Sequence, residues 1–216
     1  MIDPGSADRQ FMPYMPVYAV VALCVLIEIV LSLADHGFIL TARARATVYE
    51  YGGFWPGLLR GWQPNFPAQP ALMFLTYSFL HAGLWHLFVN MFTLVSFGRI
   101  VCDRARWRGF LLVYVASILG GSVVFGLFAP TLRPMVGASG ALFGLIGAVL
   151  AWAYVDLSPT PRSVLPVWRA VGILIVLNVV LLWAMKGQLA WQTHLGGFLA
   201  GAATAVLIDR RPRKPG

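Results

Sequence analysis

The chain has 216 residues, of which 59% are apolar and only 11% charged, against about a quarter charged in an ordinary soluble domain; its mean hydropathy is +0.75. That composition excludes a water-soluble globular fold. The net charge of +8 does not mark a nucleic-acid surface, because the basic residues punctuate the ends of apolar runs and form no patch interleaved with aromatics.

Six apolar runs, each near the roughly 20 residues that a membrane crossing needs, predict an all-α membrane protein. Its expected form is one domain over residues 1–216, a bundle of six transmembrane helices with a long interfacial first loop. The first run, residues 17–34, carries Cys24 and Glu28 and ends in Ser32-Leu33-Ala34. Those small residues resemble a signal-peptidase site, but a single basic residue precedes the run and its removal would leave an odd number of crossings, so it is read as retained. The connection that follows, through Phe54-Trp55-Pro56-Gly57 and Trp62-Gln63-Pro64-Asn65-Phe66-Pro67, mixes aromatic, Pro and Gly residues as an irregular segment at headgroup level would. The second run, residues 82–101, holds His86 and Asn90. Residues 102–108 read as a short basic turn before the third run, 110–128. After 129–134 the chain must re-enter the membrane to reach the fourth run, 139–155, which opens on Ser139. A Pro-broken turn at 157–162 leads to the fifth, 170–185, with Asn178, and the sixth, 189–208, contains His194.

With the first helix running from inside to outside, eleven Lys and Arg residues fall on the cytoplasmic side and five outside. The positive-inside rule is obeyed. Both termini are then expected in the cytoplasm, in a multi-pass protein of the cell (inner) membrane. Cys24 and Cys102 are read as inert thiols, and no Cys/His metal spacing or phosphate loop is found.

Polar groups inside a bilayer are costly and suggest function by default. At about 1.5 Å of rise per residue, Ser139 lies roughly 25 Å from Asp156, His86 roughly 25 Å from Asp103 and His194 roughly 22 Å from Asp209, each acidic residue marking a cytoplasmic helix end. One Ser and two His residues therefore share one level, a few ångströms below the outer surface. Gly140, Gly144 and Gly147 in the fourth run, and Gly197 and Gly201 in the sixth, place small residues at three- and four-residue steps. Such faces let helices approach closely, which would bring the Ser139 hydroxyl to the His194 imidazole.

Three segments carry a family resemblance. Gly137-Ala138-Ser139-Gly140 resembles the GxSG signature of rhomboid intramembrane serine proteases, His81 through Asn90 resembles their H-x4-H-x3-N segment, and Thr193-His194-Leu195-Gly196-Gly197 resembles their sixth-helix histidine followed by glycines. The resemblance covers essentially the whole chain. It implies Ser139 as nucleophile, His194 as general base and then acid, and an oxyanion site made by the Ser139 backbone N–H with His86 and Asn90. Gly137, Gly140 and Gly197 would support the site by close packing. The substrates implied are transmembrane proteins, cut near the outer ends of their spans, in contact with membrane lipids; no cofactor and no nucleic acid are implied.

Two departures accompany the resemblance. Leu72-Met73 stand where the family often has a Trp-Arg pair, so the usual bracing of the first loop is absent or supplied differently. Phe143 stands where many members have a Tyr that stacks on the catalytic His. His81 is read as structural, Asn178 as the maker of an interhelical hydrogen bond, and Glu28 as neutral or hydrogen-bonded between helices. No carboxylate is expected to complete a triad. The alternative is a non-catalytic rhomboid-like protein that binds membrane helices without cutting them, and the presence of both Ser139 and His194 argues against it.

Overall fold

The computed structural model describes residues 12–157 and 163–209. The Pro-broken turn at 158–162 and the charged residues within 1–11 and 210–216 lie outside that range. Every regular element described is helical: α1 (Met15–Asp35), α2 (Ala44–Gly52), α3 (Gln69–Thr76), α4 (Leu84–Phe128), α5 (Ser139–Leu157), α6 (Leu165–Ala184) and α7 (Trp191–Ile208), with single-turn 3-10 segments between them. Four of them, α1, α4, α5 and α6, are long and apolar enough to cross a membrane. Pro supplies its fixed φ in the first turn of α1, α3 and α6, where its missing N–H costs nothing.

The second and third apolar runs lie in the single helix α4, and the basic turn between them narrows to one residue. Arg106 alone leaves helical geometry, at φ 62 and ψ 176, a conformation that costs a non-glycine residue of order 1–3 kcal/mol. Its neighbour Arg104 fixes the break in place. The Arg104 guanidinium bonds both Asp156 on α5 and Asp209 just after α7, joining three helix ends, and sits over the Trp152 ring. The fifth run begins earlier than its hydropathy suggests, at Leu165, because Pro166 starts a helix that Arg169 does not interrupt.

The long first connection is ordered where an irregular backbone was expected. It contains α2 and α3, and its chain pairs with the segment leading to Ser139 through a reciprocal backbone bridge of Phe54 and Met135, both bonds 3.0 Å. Arg60 donates to the carbonyls of Gly126 and Ala129 and to the Thr131 hydroxyl, satisfying carbonyls left open at the end of α4. Phe54 meets Phe74, Tyr77 and Phe125 edge-on, and with Phe54, Tyr77 and Phe125 buried and Phe74 partly so, these rings turn the connection into part of the core.

Glu28 supplies the bracing that Leu72-Met73 cannot. Its carboxylate, fully buried, accepts two hydrogen bonds from Arg45 of α2 at 2.8 and 3.0 Å and one from Ser32. Arg45 also bonds Asp35 and the carbonyl of His81, so α1, α2 and the entry to α4 are tied at one point. Of the two expected states of Glu28, the structure has the one hydrogen-bonded between helices, and in place of a neutral acid it forms an ion pair with Arg45, which carries the guanidinium pKa further above its ordinary value. A charge this deep persists only when paired and hydrogen-bonded.

Helix α7 packs between α5 and the second arm of α4 at backbone distance. A Cβ placed on Gly197 would lie 1.9 Å from the Gly140 carbonyl oxygen, one on Gly201 2.1 Å from that of Gly144, and one on Gly196 2.4 Å from that of Gly120. Helix α6 stands apart from this core, with Val167 its only buried residue.

Candidate active site

Helices α4, α5 and α7 bring His86, Ser139 and His194 towards one place. Helix α5 begins at Ser139, directly after Gly137, whose φ of +124 and lack of a side chain let the His86 ring pass close; a Cβ there would be 2.8 Å from His86 Cε1. The Gly137 N–H donates to the Tyr77 carbonyl at 2.9 Å, and Tyr77 in turn donates from its hydroxyl to the Ile118 carbonyl. The chain leading to Ser139 is thus held by backbone bonds at Met135 and Gly137, the kind of protein partner that irregular backbone at membrane depth requires.

Across the glycine contact, the Ser139 Oγ lies 2.9 Å from Nε2 of His194 on α7. His194 is only 6% exposed. Its ring lies parallel to that of Phe143, with centroids 4.1 Å apart and planes 8° from coincidence, because residue 143 is one turn after Ser139 on the same face of α5. The other ring nitrogen, Nδ1, is 2.6 Å from Oδ1 of Asn178 on α6. The interhelical bond expected of Asn178 has His194 as its partner.

His86 and Asn90 occupy successive turns of α4. The Ala82 N–H donates to His86 Nδ1 at 3.2 Å, so Nδ1 is the acceptor nitrogen and Nε2 carries the hydrogen. That N–H is available on the side of Gly137. Asn90 Nδ2 donates to the His86 carbonyl at 2.7 Å and keeps a second N–H. The Asn90 Oδ1 is buried with no partner among the described residues. His81 precedes α4 with its ring packed edge-on to His86, centroids 5.3 Å apart, while its carbonyl accepts from Arg45 and from the Tyr49 hydroxyl. Burial lowers the His81 pKa to about 4.

Polar contacts at this level sit beside apolar space. A cavity of about 360 Å³ opens between α6 and α7, lined by Phe143, Asn178 and His194 and otherwise by apolar side chains such as Leu174, Leu182 and Phe198. Among the described residues no group of three or more His, Cys, Asp or Glu side chains gathers as a metal site would. The Ser139 hydroxyl against a buried imidazole, at the start of a helix with unpaired N–H groups, is an arrangement that can activate a nucleophile and stabilise negative charge beside it.

Comparison with known proteins gives a consistent outcome. The family model described as "Rhomboid domain" matches residues 69–211. The chain is 34% identical over 135 residues to "Rhomboid protease GluP" of Bacillus subtilis (strain 168), covering 62% of this chain and 25% of that protein. It is 32% identical over 142 residues to "RHOMBOID-like protein 6, mitochondrial" of Arabidopsis thaliana, covering 64% of this chain and 44% of that one. It is 30% identical over 201 residues to "Rhomboid-like protein 11, chloroplastic" of the same plant, covering 87% of this chain and 65% of that one. The chain spans between a quarter and two thirds of the length of these relatives.

Proposed function

The chain belongs to the rhomboid family, and from that premise we propose that it is an intramembrane serine protease that hydrolyses peptide bonds near the outer ends of transmembrane segments. The observation that carries the reading is the 2.9 Å approach of Ser139 Oγ to His194 Nε2. In the first step Nε2 takes the hydroxyl proton as Oγ attacks the scissile carbonyl carbon. The carbonyl oxygen becomes an oxyanion beside the N–H groups that open α5, the Nε2–H of His86 and the free N–H of Asn90. His194 then returns the proton to the leaving amine, and the acyl-enzyme is hydrolysed by a water that gives its proton to the same Nε2.

The substrate follows from the depth of the dyad. An intact helix keeps its carbonyls in hydrogen bonds, so the segment to be cut must unwind, and Gly, Pro or small residues near its outer end favour that. The chain itself crosses the membrane six times in this reading: Arg106 divides α4 into two crossings, and α7 is the sixth. Both termini then lie in the cytoplasm of a cell (inner) membrane protein.

The test is direct. Purified protein in lipid vesicles is incubated with single-span substrates and, separately, with a fluorophosphonate probe. Cleavage and labelling are expected, and both are expected to vanish in Ser139→Ala and His194→Ala while the variants still insert and fold. Substantial turnover by either variant refutes the dyad, whereas wild-type protein that binds the spans without cutting or labelling selects the helix-binding alternative.

A further inference from the structure

Resting on the protease reading, we propose that Asn178 is the positioning residue of this site and that Ser139, His194 and Asn178 act as a Ser-His-Asn triad. An amide presents one acceptor and one donor end, and which end faces a neighbour is decided by its other contact. Asn178 Nδ2 donates to the Leu174 carbonyl at 2.9 Å. A carbonyl accepts only, so the amide nitrogen must face Leu174 and the amide oxygen must face His194, 2.6 Å from Nδ1.

The tautomer of His194 follows. Oδ1 cannot donate, so Nδ1 must carry the hydrogen, and the lone pair of the neutral ring is left on Nε2. That is the nitrogen 2.9 Å from Ser139 Oγ. In the other tautomer Nε2 would hold a hydrogen and could not accept the serine proton. During attack the proton passes from Oγ to Nε2 while the Nδ1–H stays on the ring, shared with the amide oxygen. The same Nε2 proton then leaves with the amine. Asn178 gains and loses no proton; its bond strengthens when the ring becomes cationic, since hydrogen bonds to charged groups are about twice as strong.

Phe143 fixes the plane of the ring from one face, and Asn178 fixes its rotation within that plane. The two constraints differ in origin: the first comes from the same helix as Ser139, the second from α6. Because α6 contributes almost no buried side chain, replacing Asn178 leaves the packed core intact and isolates its effect on His194.

The experiment compares Asn178→Leu, which keeps volume and loses the acceptor, with Asn178→Asp, which keeps an acceptor oxygen. In vesicles with a single-span substrate, Asn178→Leu should lower kcat by roughly 10- to 100-fold, less than the about 10⁴-fold of an imposed wrong tautomer, with KM within about 2-fold because the bond acts on the base. Asn178→Asp should recover most of the loss. A kcat of Asn178→Leu within 2-fold of wild type, or an Asn178→Asp variant as slow as the Leu one, overturns the proposal. ¹⁵N-histidine NMR supplies a readout that packing alone would not move: the His194 signal, assigned by its loss in His194→Ala, should show protonated Nδ1 and bare Nε2 in wild type and a tautomer mixture in Asn178→Leu. A protonated Nε2 in wild type overturns the proposal even if the protein proves not to cleave substrates, and failure of the protease reading is seen separately in an absence of cleavage and of labelling at Ser139.

Discussion

Gly197→Ala tests whether the dyad depends on backbone contact between α5 and α7. The added Cβ would stand 1.9 Å from the Gly140 carbonyl oxygen and 2.7 Å from its carbon. Both are backbone atoms and cannot rotate away. Ordinary contact begins at 3.4 Å, so the two helices must part locally by about 1.5 Å. His194 is one turn before Gly197, and Ser139 is next to Gly140, so the separation falls on the reacting pair. If only half of it reaches them, the 2.9 Å bond stretches to about 3.6 Å and ceases to be one. Misplacement by about 1 Å costs on the order of 10²-fold in rate, and overpacking costs about 1–3 kcal/mol of stability. Gly201→Ala makes a similar clash, 2.1 Å from the Gly144 oxygen, but one turn further from His194, so it should destabilise as much and slow the reaction less. Gly172→Ala on α6 meets nothing within 4 Å and serves as the control. The assay is substrate cleavage in vesicles well below each variant's melting temperature. Wild-type kcat in folded Gly197→Ala would refute the claim that glycine contact sets the geometry of the dyad.

His86→Ala and Asn90→Ala should each lower kcat by about 10²- to 10³-fold, as loss of one oxyanion donor does, because the backbone N–H groups of α5 remain; full activity in both would remove them from the oxyanion site. Phe143→Tyr should leave cleavage unchanged or modestly faster, since the ring borders the cavity between α6 and α7 where a hydroxyl has room, and a complete loss would place the ring edge against packed atoms instead. Arg45→Ala strands the Glu28 carboxylate and should cost about 3–5 kcal/mol, seen as a lowered melting temperature. Glu28→Gln should be milder and should keep most of its activity below that temperature, because Glu28 belongs to the bracing of α1 and not to the dyad. His81 makes stability depend on pH: its folded pKa lies at about 4, below the ordinary value near 6.5, so the unfolded chain binds more protons between these values. Stability is then full above about pH 6.5, is lost progressively as pH falls towards 4, and levels off below. A His81→Phe variant should flatten that decline in a melting series, and an unchanged slope would assign the decline to other groups.

Much of the fold was legible because hydropathy, depth and small-residue spacing are properties of the chain alone. The level shared by Ser139 and His194 needed only the helical rise and an acidic residue marking one end of each helix, and the glycine steps indicated which faces meet. The first connection was not legible in the same way. Arg45 reads as one more outer basic residue until α2 folds back on α1, and nothing local in the sequence joins it to Glu28 seventeen positions earlier. The bridge between Phe54 and Met135 is likewise a pairing over 81 positions, set by how the rings of Phe74, Tyr77 and Phe125 close around Phe54.

Asn178 shows how a boundary can hide a role. Counted from residue 170, where its apolar run begins, it lies roughly 12 Å along the helix, well short of the level of the dyad. Counted from Leu165, where α6 begins, it lies roughly 20 Å up, level with His194. The five residues between are Leu165, Pro166, Val167, Trp168 and Arg169; the arginine ends the hydropathic run without ending the helix, because a long cationic side chain near a helix end can reach the interface. Depth is thus set by where hydrogen bonding begins and not by where charge stops. With that origin, Ser139, His194 and Asn178 come from three different helices at one level, and the amide is the only one of the three whose partner could not be read from a face of small residues, since α6 meets α7 across a cavity and not across a glycine seam.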